Sequence, residues 1–147
     1  MNPVLACLAV AAAAVGALVW VRSRFIAVRV VGTSMEPTLR EGAWVLVRRV
    51  PLRRVRRGQV VVFAPLHRIG AAEDPPWLIK RVAALPGDPM PAGVRSPDEL
   101  VPPGQFAVLG DNTQRSYDSR TGGLFPAGAL LGVAVRVLSG AGRITVL

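Results

Sequence analysis

Residues 3 to 21, from Pro3-Val4-Leu5 through Val19-Trp20-Val21, carry no charge. Nineteen residues in an α-helix rise about 28 Å, close to the hydrocarbon thickness of a bilayer at about 30 Å. Trp20 then falls at the interface and Arg22 and Arg24 among headgroups. A cleavable leader is the alternative, but the segment has no basic start, its apolar core is long, and no small-x-small site follows it. Residues 1–24 are therefore expected to be an N-terminal transmembrane anchor. Charge complicates the orientation. Arg22, Arg24 and Arg29 follow the segment and only the terminal amine precedes it, so the positive-inside count puts the remainder in the cytoplasm. Long domains can nevertheless be translocated against such a count.

The remaining residues, 25–147, suit one domain with its own core. Valine-rich runs punctuated by Gly and Pro dominate it: Phe25 to Val31, Ala43 to Val47, Gln59 to Ala64, Trp77 to Leu85, Gln105 to Leu109, Leu130 to Leu138 and Ile144 to Leu147. No long amphipathic helix and no repeat interrupts them, so the expected class is mainly β, a compact and mostly antiparallel domain. Residues 64–76 and 86–104 read as Pro-rich loops.

Within this domain Lys80 is the only lysine, every other basic residue being arginine. A guanidinium keeps its proton, whereas a desolvated ammonium can become a neutral amine, so a general base can be Lys and cannot be Arg. Composition alone also allows a stray surface lysine. Its setting in Trp77-Leu78-Ile79-Lys80-Arg81-Val82, an apolar strand-like run, favours burial. The matching nucleophile is Ser34 in Gly32-Thr33-Ser34-Met35-Glu36-Pro37-Thr38, where the run ending at Val31 gives way to a turn. Taken by itself this is equally a turn closed by Pro37. Taken with Lys80 it is half of a Ser/Lys dyad. An oxyanion would be held by the Ser34 N–H, with help from the Thr33 hydroxyl.

Other chemistries fall to counting. The single histidine, His67, lies in Pro65-Leu66-His67-Arg68 with no orienting carboxylate nearby, and the single cysteine, Cys7, lies in the apolar segment. Disulfides are excluded, and one His, one Cys and nine scattered carboxylates make a metal site improbable. No cofactor is expected.

A last segment is informative. Gly110-Asp111-Asn112 follows the apolar Phe106-Ala107-Val108-Leu109 and reads as a strand entering a tight turn, with Asn and Asp able to take unusual backbone angles. Ser116, Asp118 and Arg120 alternate, so an extended strand would put them on one face. Asp118 and Arg120 alone are equally an ordinary surface pair.

Together these segments resemble the bacterial signal peptidase I family, membrane-bound serine endopeptidases with a Ser/Lys dyad. Ser34-Met35-Glu36-Pro37-Thr38-Leu39 is similar to its nucleophile motif, Arg57-Gly58-Gln59-Val60-Val61-Val62-Phe63 to the next strand motif, Lys80-Arg81-Val82-Ala83-Ala84-Leu85-Pro86-Gly87-Asp88 to its lysine motif, and Gly110 through Arg120 to its last. The resemblance covers residues 32–123. It implies Ser34 as nucleophile, Lys80 as base, Ser116 as the hydroxyl that orients the amine, and Asp118 with Arg120 as a bracing ion pair. Met35, Pro37, Arg81, Gly110, Asp111 and Asn112 are motif positions. It also implies substrates that are precursor proteins with signal peptides, small side chains before the cut, and a catalytic domain on the extracytoplasmic face. Ala84, Thr113 and Gly32 depart from commoner family residues, which bears on substrate range and rate.

The charge of +9 concentrates in Arg48-Arg49 and Arg53-Arg54-Val55-Arg56-Arg57. Such a run is either a solvated loop or an attraction to anionic lipid beside the anchor. Nucleic acid is not an expected partner, because no reading module accompanies it. Two rivals stay open: a self-cleaving repressor with the same dyad, and a non-catalytic basic module tethered to the membrane. Within the peptidase reading, the chain serves either many precursors or one dedicated precursor.

Overall fold

The computed structural model describes residues 3–65 and 76–139. His67, most of the expected 64–76 loop and the expected strand Ile144–Leu147 lie outside the described residues. Helix α1 (Pro3–Arg24) buries none of its residues and carries apolar side chains on every face up to its last turn, which holds Arg22 and Arg24. It runs straight into β1 (Phe25–Arg29), and the Arg49 N–H donates to the Arg24 carbonyl at 2.8 Å across that junction.

The strands that follow are β2 (Trp44–Arg48), β3 (Val60–Phe63), β4 (Leu78–Ala84), β5 (Gln105–Leu109), the two-residue β6 (Phe125–Pro126) and the long β7 (Leu130–Ser139). They form a seven-stranded sheet in the order β1-β2-β7-β3-β4-β5-β6, with every neighbouring pair antiparallel. Mainly β is therefore the class, as the alternation of Val-rich runs with turn residues dictates. A short helix α2 (Ser119–Gly122) lies between β5 and β6.

The Val-Val-Val-Phe run of β3 is buried throughout because the sheet is covered on both faces. Val60 and Val62 pack with Val28, Val45, Val47 and Ile79. Val61 and Phe63 pack with Val82, Phe106, Val108 and Phe125. In the second cluster the rings of Phe63 and Phe106 meet edge to face at 5.7 Å, and Phe125 docks on Phe63 at 4.6 Å. Burying a side chain of this size stabilises by about 2–3 kcal/mol relative to exposure. Phe125 thereby holds the very short β6 in place. Strand β7 reaches β2 and β3 with register shifts in both pairings. Gly132 permits the closest approach, since a Cβ there would collide with the Arg48 carbonyl.

Two local expectations are corrected. Residues 116–120 are not an extended strand: Asp118 is the N-cap of α2, its carboxylate accepting from the Arg120 N–H, because a capping side chain satisfies a helix-start amide that a strand would leave unpaired. The turn after β5 uses no unusual backbone angle at Asp111 or Asn112, as no non-glycine residue among those described has positive φ.

Candidate active site

Ser34 and Lys80, 46 positions apart in sequence, meet across the sheet. The Lys80 Nζ donates to Ser34 Oγ at 2.6 Å and to the Ile79 carbonyl at 3.1 Å. Lys80 sits in β4 between β3 and β5, paired with Val61, and is 3% exposed. Burial drives its pKa from 10.5 down to about 8, against a smaller upward pull from the Asp118 carboxylate. About a tenth of this amine is therefore unprotonated at pH 7, far more than for an exposed lysine.

The turn that carries Ser34 is fixed from the far side of the chain. The Asn112 N–H donates to the Ser34 carbonyl at 3.0 Å and its side-chain amide to the Thr33 carbonyl at 3.2 Å. Met35 and Leu39 anchor the same turn in the core, each 1% exposed. Pro37, between them, follows a cis peptide bond. Gly110 lies where a Cβ would strike the Ser116 hydroxyl and come within 2.7 Å of the Ser34 carbonyl oxygen. Only glycine lets these three backbone and side-chain groups approach so closely.

Arg81, next to Lys80, ties three segments together. Its guanidinium grips Asp111 bidentately, Nε to Oδ1 at 2.9 Å and Nη2 to Oδ2 at 2.7 Å, and donates to the Gly58 carbonyl at 2.7 Å. The Thr38 hydroxyl donates to the same Asp111 carboxylate. Burial alone would raise the Asp111 pKa, but these donors hold it below its ordinary value. Because the arginine is 36% exposed, solvent screening limits the pair to about 1 kcal/mol. Its value lies in geometry, since the planar fork fixes the turn after β5 against β4.

Asp118 is the second hub, with a side chain 0% exposed. It accepts from Ser116 Oγ at 2.7 Å, from the Gly110 N–H at 2.9 Å, and from Arg120 Nη2 at 2.6 Å and Nε at 3.0 Å. Burial would raise its pKa, yet the hydrogen bonds from Arg120, Gly110 and Ser116 overcome this and hold the carboxyl well below the usual carboxylate range. Ser116, Asp118 and Arg120 are thus gathered by a shared carboxylate rather than by a strand face. The Ser119 hydroxyl, buried beside them, accepts from the Val108 N–H at 2.9 Å and binds α2 to β5.

Ser34 and Lys80 open on a cleft of about 350 Å³ lined by residues 29–35 and 77–80, with Arg115 and Tyr117. Trp77 lines it, and its buried Nε1 has no hydrogen-bond partner among the described residues. No group of three or more metal-ligating side chains occurs among the described residues. The chemistry on offer is nucleophilic: a hydroxyl and a partly neutral amine within bonding reach, at the wall of a cleft.

The segments so interlocked are those quoted for the family resemblance, and the profile described as signal peptidase, peptidase S26 matches residues 4–92 and 90–138. The chain belongs to this family. It is 33% identical over 125 residues to a probable signal peptidase I-2 of Synechocystis sp., covering 69% of this chain and 57% of that protein. It is 32% identical over 129 residues to a signal peptidase I of Leptolyngbya laminosa, covering 69% and 63% respectively. The chain thus spans about three fifths of the length of these curated relatives.

In this S26 family member three contributions had no local sequence signal. Thr38 reaches Asp111 across 73 positions and Asn112 reaches Thr33 across 79, while the Ile79 carbonyl is a backbone group that any residue would supply. The motif segments name Thr38 and Asn112, but not the atoms they hold.

Proposed function

We propose that the chain is a membrane-anchored serine endopeptidase that removes signal peptides from precursor proteins, with Ser34 as nucleophile and Lys80 as general base. The observation that carries the reading is the 2.6 Å contact between a buried, pKa-lowered amine and a hydroxyl at the wall of a cleft. An extended precursor segment lies in that cleft and presents its scissile carbonyl to Ser34. With Lys80 neutral, the same contact runs from the hydroxyl to the amine, which takes the proton as the C–O bond forms. The tetrahedral oxyanion is held by the Ser34 N–H and the Thr33 hydroxyl. The protonated Lys80 then returns its proton to the leaving amine, and an acyl-enzyme on Ser34 remains. Water, deprotonated by the same amine, hydrolyses it and restores Ser34. Asp118, charged and braced by Arg120, holds Ser116 and Gly110 against the dyad.

Helix α1, 22 residues long with mean hydropathy 2.6 over its best window, supports the membrane span and the division into an anchor at 1–24 and a catalytic domain at 25–147. The relatives' names as signal peptidases favour an extracytoplasmic domain, against the arginine count after the helix. One experiment separates the readings. Amino-terminal mass spectrometry of exported proteins, from cells carrying the wild type or Ser34→Ala, should show precursors retaining their leaders only in the variant. Ser34→Ala keeps the backbone and every Asn112 contact and removes one acceptor of the Lys80 amine, so thermal unfolding should shift only slightly. Full processing by Ser34→Ala would refute the dyad. Cleavage confined to the chain itself would instead indicate the repressor-type relative.

A further inference from the structure

Where α1 passes into β1 the structure holds a second cavity of about 280 Å³. Four arginines from three separate stretches of chain line it: Arg24 from the end of α1, Arg48 and Arg49 from the exit of β2, and Arg54 from the turn Leu52–Arg54. Trp20 and Phe25 form its apolar side. The convergence is built by the fold. Arg48 is paired with Phe25 in the β1–β2 ladder, and the Arg49 N–H is bonded to the Arg24 carbonyl, so helix end and strand end cannot separate. The Arg24 guanidinium lies over the Trp20 ring at 5.7 Å.

Among the described residues none of the four arginines has a carboxylate partner, the ion pairs there being Arg57–Asp88, Arg81–Asp111 and Arg120–Asp118. Four guanidinium groups around one concavity repel each other unless an anion lies between them. Guanidinium forks suit the oxygens of a phosphate, to which they donate two parallel hydrogen bonds. The depth of the cavity identifies the source. It lies at the last turn of α1, where the uncharged stretch ends and Arg22 and Arg24 begin, beside the tryptophan that marks the interface, where lipid phosphates reside. The geometry points to a specific site for the phosphodiester of an anionic glycerophospholipid, its headgroup between Arg24, Arg48, Arg49 and Arg54 and its glycerol against Trp20 and Phe25. This inference rests on α1 lying in a bilayer, and it is independent of the dyad.

The test uses the full chain in nanodiscs of phosphatidylcholine alone or mixed with phosphatidylglycerol, with native mass spectrometry counting the lipids retained after release. The wild type should retain one phosphatidylglycerol in preference to phosphatidylcholine. Arg48→Gln/Arg49→Gln should weaken that preference about thirtyfold. Arg53→Gln/Arg56→Gln, in the same basic run but outside the cavity, should change it by less than about threefold. Thermal unfolding of both variants in detergent checks that the fold persists, and Arg54→Gln serves as the second cavity variant if the first unfolds. Equal losses from the two pairs, or no preference in the wild type, would overturn the site. Displacement of the lipid by inorganic phosphate at millimolar concentration would overturn the lipid assignment. Failure to enter nanodiscs of either composition would refute the membrane span itself.

Discussion

The pH dependence of cleavage follows from the environment of one amine. Lys80, at about 8, is neutral in about one molecule in ten at pH 7, whereas an ordinary lysine amine would be neutral in about three in ten thousand. The downward shift corresponds to about 3 kcal/mol of differential interaction between the two protonation states. The sign is fixed by desolvation. The folded protein disfavours the charged form, so the fold carries this cost below about pH 8 and is relieved of it as pH rises toward the unfolded value of 10.5. With Lys80 as base, kcat/KM on a peptide carrying Ala-x-Ala before the cut should rise with unit slope at low pH, reach half its maximum near pH 8, and increase about tenfold between pH 7 and pH 9. Steady-state assays in detergent from pH 6 to 10 measure this directly. Lys80→Arg, which cannot release its proton, should lose at least about a thousandfold in kcat/KM throughout that range. A half-maximum near pH 6.5, the range of a histidine, would refute the reasoning, as would activity that ignores pH or survives in Lys80→Arg.

The second hub predicts a shift of that same profile. Asp118→Asn removes the charge that pulls the Lys80 pKa upward, so the rising limb should move below pH 8, and loss of the partly exposed Arg120 pair should cost about 2–3 kcal/mol in denaturant unfolding. An unmoved limb would mean that Asp118 acts on structure alone. Gly110→Ala places a methyl against Ser116 and the Ser34 carbonyl, so it should cost about 1–3 kcal/mol and reduce kcat more than it raises KM. Wild-type kinetics in that variant would show that the close approach has no role.

Much of this arrangement was legible in the chain because it depends on chemistry that few residue types can perform. An all-arginine chain with one lysine in an apolar run marks the amine, and Ser34 at the end of a strand marks its partner. Strands β1 to β5 and β7 follow from runs whose apolar residues fit a pleated surface. What escaped reading is what tertiary contact decides. Phe125 makes a strand of two residues because Phe63 offers it a ring to pack on. The shift between Val82 and Ala84, in the pairing of β4 with β5, has no signature in the sequence. The alternation of Ser116, Asp118 and Arg120 suggested a strand, but one buried carboxylate that must be surrounded by donors draws the same three residues together through a helix cap.

The junction between α1 and β1 contains no linker. With α1 in the bilayer, Ser34 comes ten positions after the end of the span at Arg24, and even fully extended that stretch reaches no more than about 36 Å. With Ser34 as nucleophile, cleavage would therefore be confined to a shallow layer above the lipid, as if the hydroxyl stood on a short post. A peptide bond held farther out than that would be beyond its reach, however well the neighbouring residues suit the cleft.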